Sequence, residues 1–287
     1  MHIKHYFFSC ILLLSNIYYT YAMNHTMSLQ EQLFKAIEEC KDKVQDTDPT
    51  IENALLMPII EALQNGVNIN AIDNRGETAL YKAVALGRRA VVRAFKSFDG
   101  LDITASNKKG VTALLKAIKK GHYNIMYELF DDNTSLVNQA DIRYYSPLQW
   151  AITTAYEYEI NTQLPKNATD AERTLYFEYL RMIPIRTIST VVRKEPLHKM
   201  SIIKALINRG ADVNYQTDKG VTALHLAAFI NDKTLLEYLI SRGANPTLQN
   251  NRGETPLDIA YNMYHYYSAY KTAIDILSWH TQPIVDK

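Results

Sequence analysis

The chain has 287 residues, 47% hydrophobic and 21% charged, a balance that excludes wholesale disorder, a collagen-like fibre and a polytopic membrane protein. Lys plus Arg number 31 and Asp plus Glu 30, so no global basic field draws the chain to nucleic acid, and recognition by charge has to be local. The two cysteines, Cys10 and Cys40, are too few for a multiply bridged secreted scaffold, so the core has to hold itself together.

Residues 1–22 start basic at Lys4, run apolar from Tyr6 to Leu14 and end in small and polar residues at Thr20-Tyr21-Ala22. This layout predicts a cleaved secretory signal peptide and a secreted or periplasmic mature protein. A membrane anchor is the competing reading, but a helical span needs about 20 apolar residues, and Ser15-Asn16 interrupt the run. The apolar run continues past Cys10, which argues against a lipid-attachment cysteine. Removing the segment takes away Lys4 and brings the formal net charge from +1 to zero. No later run of 18 apolar residues follows, so the mature chain is expected to lack a membrane span.

Residues 28–72 then predict a helix pair. Glu31-Gln-Leu-Phe-Lys-Ala-Ile37 aligns with the later Thr112-Ala-Leu-Leu-Lys-Ala-Ile118, Lys41 to Thr50 is a polar connection, and Asn53 to Asn65 supplies the second helix. From residue 73 the sequence repeats. Arg75-Gly-Glu-Thr-Ala-Leu80 recurs as Lys109-Gly-Val-Thr-Ala-Leu114, Lys219-Gly-Val-Thr-Ala-Leu224 and Arg252-Gly-Glu-Thr-Pro-Leu257, with a degenerate copy, Arg143-Tyr-Tyr-Ser-Pro-Leu148, between them. The hydroxyl residues Thr78, Thr112, Ser146, Thr222 and Thr255 are separated by 34, 34, 76 and 33 residues, so one repeat carries an insertion, residues 155–199.

All ten glycines lie at three fixed phases of this period, as a recurring left-handed turn requires. That leaves none for a phosphate-binding loop, a dinucleotide fingerprint or a nucleophile elbow. Each unit reads as a turn, a short helix capped by Thr, as in Thr222 to Ala228, and a second helix, as in Lys233 to Ser241, that ends near a glycine. Neither helix can bury its apolar face alone, so neighbouring units must stack. In the third repeat Tyr144 replaces the turn glycine, which predicts a hairpin of another shape. Within the insertion, Thr169-Asp-Ala-Glu172 is a capping box, and a helix through Leu175, Tyr179, Met182 and Ile183 is stopped by Pro184. Near the end, Tyr261, Tyr264, Tyr266, Tyr267 and Tyr270 replace the usual second helix with a Tyr-rich cap or, alternatively, a binding surface.

Thr222-Ala-Leu-His-Leu-Ala-Ala228, Gly121-His122 and Gly210-Ala-Asp-Val-Asn214 resemble the ankyrin-repeat family nearly letter for letter. The resemblance implies an all-α repeat solenoid of helix–turn–helix units with projecting hairpin loops and a helical insertion in the third full repeat. Its segments are a signal peptide, 1–22, an N-terminal capping repeat, 28–72, and a repeat domain, 73–282, with repeats at 73–106, 107–140, 141–216, 217–249 and 250–282. With the export segment and the richness in Asn, Ile, Lys and Tyr, the chain resembles ankyrin proteins of host-associated intracellular bacteria, which would make delivery to a host cell its role.

No catalytic constellation stands out. His122 and His225 occupy structural positions of the family, the other histidines lack metal-ligand spacing, and the pairs Asp131-Asp132 and Glu38-Glu39 read as solvated helix edges. No metal or cofactor is expected. The resemblance implies a protein partner, contacted at the hairpin tips and the exposed end of each first helix. The residue three before each capping hydroxyl is basic five times over, Arg75, Lys109, Arg143, Lys219 and Arg252, which predicts a ladder facing spaced carboxylates or phosphates. The plainer alternative is a solvated hairpin residue, its field offset by Asp73, Glu77, Asp218 and Glu254. Phe229 and Ile230 add apolar contact on one repeat. Arg143, Tyr145, Trp150 and the insertion are expected to form a further contact surface, unless the insertion merely packs on Trp150. The expectation is therefore a monomeric, non-enzymatic protein-binding module. A periplasmic protective scaffold and an enzyme sited in the insertion are the rivals.

Overall fold

The computed structural model describes residues 28–40, 49–130, 134–155, 169–182, 199–264 and 268–281. The expected signal peptide, Asp131-Asp132, Ile183-Pro184 and Tyr266-Tyr267 lie outside these residues. Two compact units divide the chain, residues 1–105 and 106–287.

The first unit holds α1 (Leu29–Glu39), α2 (Pro49–Gln64), α3 (Ala79–Leu86) and α4 (Arg89–Lys96). Ser28 and Glu31 start α1 with a reciprocal capping box: the Glu31 N–H donates to Ser28 Oγ at 3.2 Å, and the Ser28 N–H to Glu31 Oε2 at 2.8 Å. Leu33, Phe34 and Ile37 then lie on one buried face of α1, which packs on α2 and α3, while α2 packs on α4. The second helix begins at Pro49, earlier than the apolar pattern from Asn53 implies.

The second unit contains α5 (Ala113–Lys120), α6 (Tyr123–Leu129), α7 (Pro147–Ala155), α8 (Asp170–Met182), α9 (Lys199–Asn208), α10 (Ala223–Ile230), α11 (Lys233–Ser241), α12 (Pro256–Tyr264) and α13 (Lys271–Thr281). The first helices α5, α7, α10 and α12 pack in succession, and α6, α9, α11 and α13 each pair with one of them. Leu114, Leu148 and Leu224, two residues after the capping hydroxyl, are buried in this stack, each contributing about 2–5 kcal/mol against truncation to Ala. Among the described residues there is no strand, only isolated bridges at Ile72–Thr78 and Ser106–Thr112. The fold is an all-α repeat solenoid.

A shared hydrogen-bond scheme shapes the five hairpins. Five residues before each capping hydroxyl stands Asp73, Asn107, Asp141, Thr217 or Asn250, and its side-chain oxygen accepts the N–H groups two and four residues onward. The third hairpin follows this scheme in full. Tyr144 takes a left-handed φ of 58°, as the turn glycines do, and its N–H donates to the Asp141 carbonyl at 2.8 Å, matching Gly76 to Asp73. The expected change of shape therefore does not occur; the turn imposes its conformation and Tyr144 bears the strain. Tyr144→Gly is expected to raise stability by about 1 kcal/mol, read as a higher urea midpoint at unchanged slope.

Asparagines eight residues before the capping hydroxyl tie repeats together. Asn138 donates to Gly210 O at 2.9 Å and accepts from the Asp212 N–H at 2.8 Å, and Asn214 does the same with Gly243 and Asn245. The Asn138 bonds tie the second repeat to the part of the third that follows the insertion, and the Asn214 bonds and the contact of α7 with α10 tie the third repeat to the fourth. The C-terminal end departs from the expected tyrosine-only cap, because α13 supplies a second helix that buries Ala273, Ile274 and Leu277. Tyr270 is buried and donates to Phe229 O, whereas Tyr261 and Tyr264 are exposed.

His225 is a structural residue, as its position implied. Its Nδ1 accepts from the Thr222 N–H at 3.1 Å, which places the ring proton on Nε2, 3.0 Å from Glu254 O in the next hairpin. Gln149 makes the equivalent bridge one repeat earlier, accepting from Ser146 N–H and donating to Tyr215 O and Val221 O. Burial holds the His225 pKa below its ordinary value, so the unfolded chain takes up this proton first. The stabilisation is complete above about pH 6.5 and is lost as pH falls below it, at up to about 1.4 kcal/mol per pH unit. Urea titrations at pH 7.5 and 5.5 are expected to show this loss, and His225→Gln to remove that part of it.

Candidate interaction surface

The basic residues follow directly from the hairpin scheme, since the N–H that each side-chain oxygen accepts first is that of Arg75, Lys109, Arg143, Lys219 or Arg252. The backbone of every basic residue is thereby fixed in the same local geometry. In the second unit the hairpins are also joined. The Lys109 carbonyl accepts from the Ile142 N–H at 3.2 Å and the Lys219 carbonyl from the Asn251 N–H at 2.9 Å. Arg75, in the first unit, Lys109 and Arg143 are exposed, and Lys219 is half-buried.

Two members of the row are drawn into local structure. The Arg143 guanidinium lies 5.5 Å from the Tyr145 ring centroid and 5.6 Å from that of Trp150, within cation–π range. Arg252 reaches Glu254 at 3.1 Å and Glu178 of α8 at 3.4 Å, and sits 5.1 Å from the Tyr179 ring. Of the acidic neighbours expected to offset the row, Glu254 therefore does so directly.

Tyr145 and Phe229 do not stand at the surface. Tyr145 is 3% exposed, packed edge-on against Trp150 at 6.0 Å, and burial pushes its phenol up to about 12. Phe229 is 2% exposed because α8 covers it: the Tyr176 and Tyr179 rings lie 5.4 and 5.6 Å from it. The insertion helix thus docks on the fourth and fifth repeats. Tyr179 donates to Glu254 Oε1 at 3.0 Å and accepts from Asn262 Nδ2 at 2.9 Å.

Trp150 instead belongs to a cluster that sequence reasoning missed. Its indole N–H donates to Asp141 Oδ2 at 3.1 Å, Lys119 reaches the same oxygen at 3.1 Å, and the ammonium lies 3.7 Å over the Trp150 ring. Lys119 and Asp141 side chains are 11% and 3% exposed, so this is a buried ion pair with an aromatic wall. The signal for Asp141 was present in the period, since Asp, Asn, Asp, Thr and Asn at one phase all offer a side-chain acceptor. Lys119, seven after its capping Thr, read as a surface lysine. Among the described residues there is no cluster of His, Cys, Asp or Glu able to hold a metal, and no helix long and apolar enough to cross a membrane.

Residues 51–142 match a family model described as ankyrin repeats (3 copies), and residues 206–260 one described as ankyrin repeats (many copies). No curated protein matches the chain. Among solved structures, the fold is similar to a chain in the complex of a predatory endopeptidase from Bdellovibrio bacteriovorus with an immunity protein. That match has 19% identity and a TM-score of 0.53, and covers 86% of this chain and 97% of that one. It is also similar to EF0377, an ankyrin repeat protein, with 17% identity and a TM-score of 0.57 over 89% of this chain and all of the other.

Proposed function

The chain belongs to the ankyrin-repeat family, and on that premise we propose that it is an exported, non-enzymatic module that holds a protein partner through its basic hairpins. The observation that carries this reading is the recurrence of one side-chain-locked turn that fixes the backbone of a basic residue five times. Within the second unit, the row of Lys109, Arg143, Lys219 and Arg252 costs little ordering entropy on binding, because the backbone is already set, and suits a partner surface with spaced carboxylates. Arg143 is its anchor: stacking on Tyr145 and Trp150 restrains the guanidinium before a partner arrives. Arg252 contributes least, being engaged within the chain. Residues 1–22 direct export, and delivery into a host cell is the role that fits the reading best.

Crosslinking capture with the chain lacking residues 1–22 tests this. Replacing Arg75, Lys109, Arg143, Lys219 and Arg252 together by Ala is expected to weaken capture roughly thirtyfold, about 2 kcal/mol spread over exposed charges. Capture by the unaltered chain should weaken as salt is raised. Undiminished capture by the folded five-site variant would remove the hairpins from the site. Fractionation of producing and recipient cells tests delivery, and retention in the producer's envelope would favour a protective scaffold.

A further inference from the structure

Helix α8 lies outside the repeat pattern, and the repeats do not need it to stack. The contact of α7 with α10 and the Asn214 bonds to Gly243 and Asn245 join the third and fourth repeats directly. Yet α8 covers a defined face. Tyr176 and Tyr179, three residues apart and so on one side of the helix, are buried against Phe229. Glu178, the residue before Tyr179, meets Arg252, while the Tyr179 hydroxyl is held between Glu254 and Asn262. Phe229 is seven residues after its capping Thr and Arg252 three before the next, the two phases at which other repeats carry Lys119 and Lys109.

Resting on the proposed binding role, we infer that α8 is an internal occupant of the partner face formed by the last two repeats. The external ligand of that face is then an amphipathic helix with two aromatic residues three apart and an acidic residue before the second, the chemistry of Tyr176-Phe-Glu-Tyr179. Such a helix would displace α8. Two features make the contact exchangeable. The Glu178–Arg252 pair is solvated, with side chains 46% and 37% exposed, so it holds α8 weakly. On the opposite side of α8, Thr174 and Phe177 are exposed. A tethered internal ligand scales the apparent affinity for an external one by the fraction of time the face is free.

The test is fluorescence anisotropy with a labelled peptide copying residues 169–182, titrated with the full chain. The unaltered chain is expected to bind it at least about tenfold more weakly than the Y176A/Y179A chain, in which α8 has lost its anchors. A peptide with Arg in place of Glu178 is expected to prefer the R252E chain, a charge exchange that a merely structural contact would not produce. Equal binding by both chains, or none by a Y176A/Y179A chain whose circular dichroism shows intact repeats, would overturn the inference. Hydrogen exchange on the unaltered chain decides the matter should the double variant unfold. Residues 170–182 are expected to exchange well before residues 223–230, and equal protection would make α8 a fixed part of the core. Failure here with hairpin-dependent capture retained would leave the proposed function standing, and the reverse outcome would remove the hairpins alone.

Discussion

Gly220→Ala is expected to destabilise the protein by about 3 kcal/mol, and Gly253→Ala by only about 1 kcal/mol, although both glycines hold nearly the same left-handed conformation. Gly220 has φ 73° and Gly253 φ 74°, so the backbone strain of a Cβ is common to both. The difference lies in what stands next in the stack. A Cβ at Gly220 would sit 2.8 Å from Asn251 Oδ1 and 2.9 Å from Asn250 Cα and Asn251 N, whereas none of the surroundings of Gly253 comes within 4 Å. The crowded atoms are mostly backbone, and moving them away breaks the bond from Asn251 N–H to the Lys219 carbonyl and loosens the Asn251 side-chain bond to Asp218 O. Gly110 repeats the situation two junctions earlier, with Ile142 N at 2.9 Å, so Gly110→Ala belongs with Gly220→Ala. Urea midpoints of the three variants check the order. Equal losses at Gly220 and Gly253 would mean that the hairpins do not stack as closely as their backbone bonds imply.

The glycine phases made the stack legible in the sequence, because a left-handed turn demands a residue type and the demand recurs with the period. The side-chain locks of the same turns were harder to see. Asp73, Asn107, Asp141, Thr217 and Asn250 share a chemistry rather than a letter, and their role appears only when acceptor groups are aligned by phase. That lock also explains why Tyr144 misled: local propensity argued against a left-handed tyrosine, but the bonds of Asp141 around it hold the turn regardless. The burial of Tyr145 was only half readable, since its phase carries the buried Val111 and Val221 in two repeats but Glu77 and Glu254 in two others. The burial of Phe229 was not readable at all. Its cover comes from α8, whose docking obeys no period, so phase arithmetic had nothing to align.

Asp141 is where stability and the proposed binding row meet, and Asp141→Asn is expected to cost about 3–5 kcal/mol despite changing one atom. The aspartate serves four donors: Oδ1 accepts from the N–H groups of Arg143 and Tyr145, and Oδ2 from Lys119 and the Trp150 indole. Asparagine can keep the first pair, which preserves the turn. Its NH2 would then face two further donors, leaving a buried ammonium without a counter-charge and an indole N–H without an acceptor. Lys119→Met alone removes the cation from the buried Asp141 carboxylate and is expected to destabilise as well, but by less than Asp141→Asn, because the Arg143, Tyr145 and Trp150 N–H groups still hold that carboxylate. In the Lys119→Met background, Asp141→Asn should cost at least about 1.5 kcal/mol less than in the parent. A double-mutant cycle on thermal or urea unfolding measures that difference, and additivity would show that the ion pair is not what Asp141 contributes. Partner capture gives the cycle its second readout. Lys119→Met leaves Arg143 stacked on Tyr145 and Trp150 and should retain capture. Asp141→Asn frees the Trp150 ring from its hydrogen bond and should weaken capture even at temperatures where the chain is still folded.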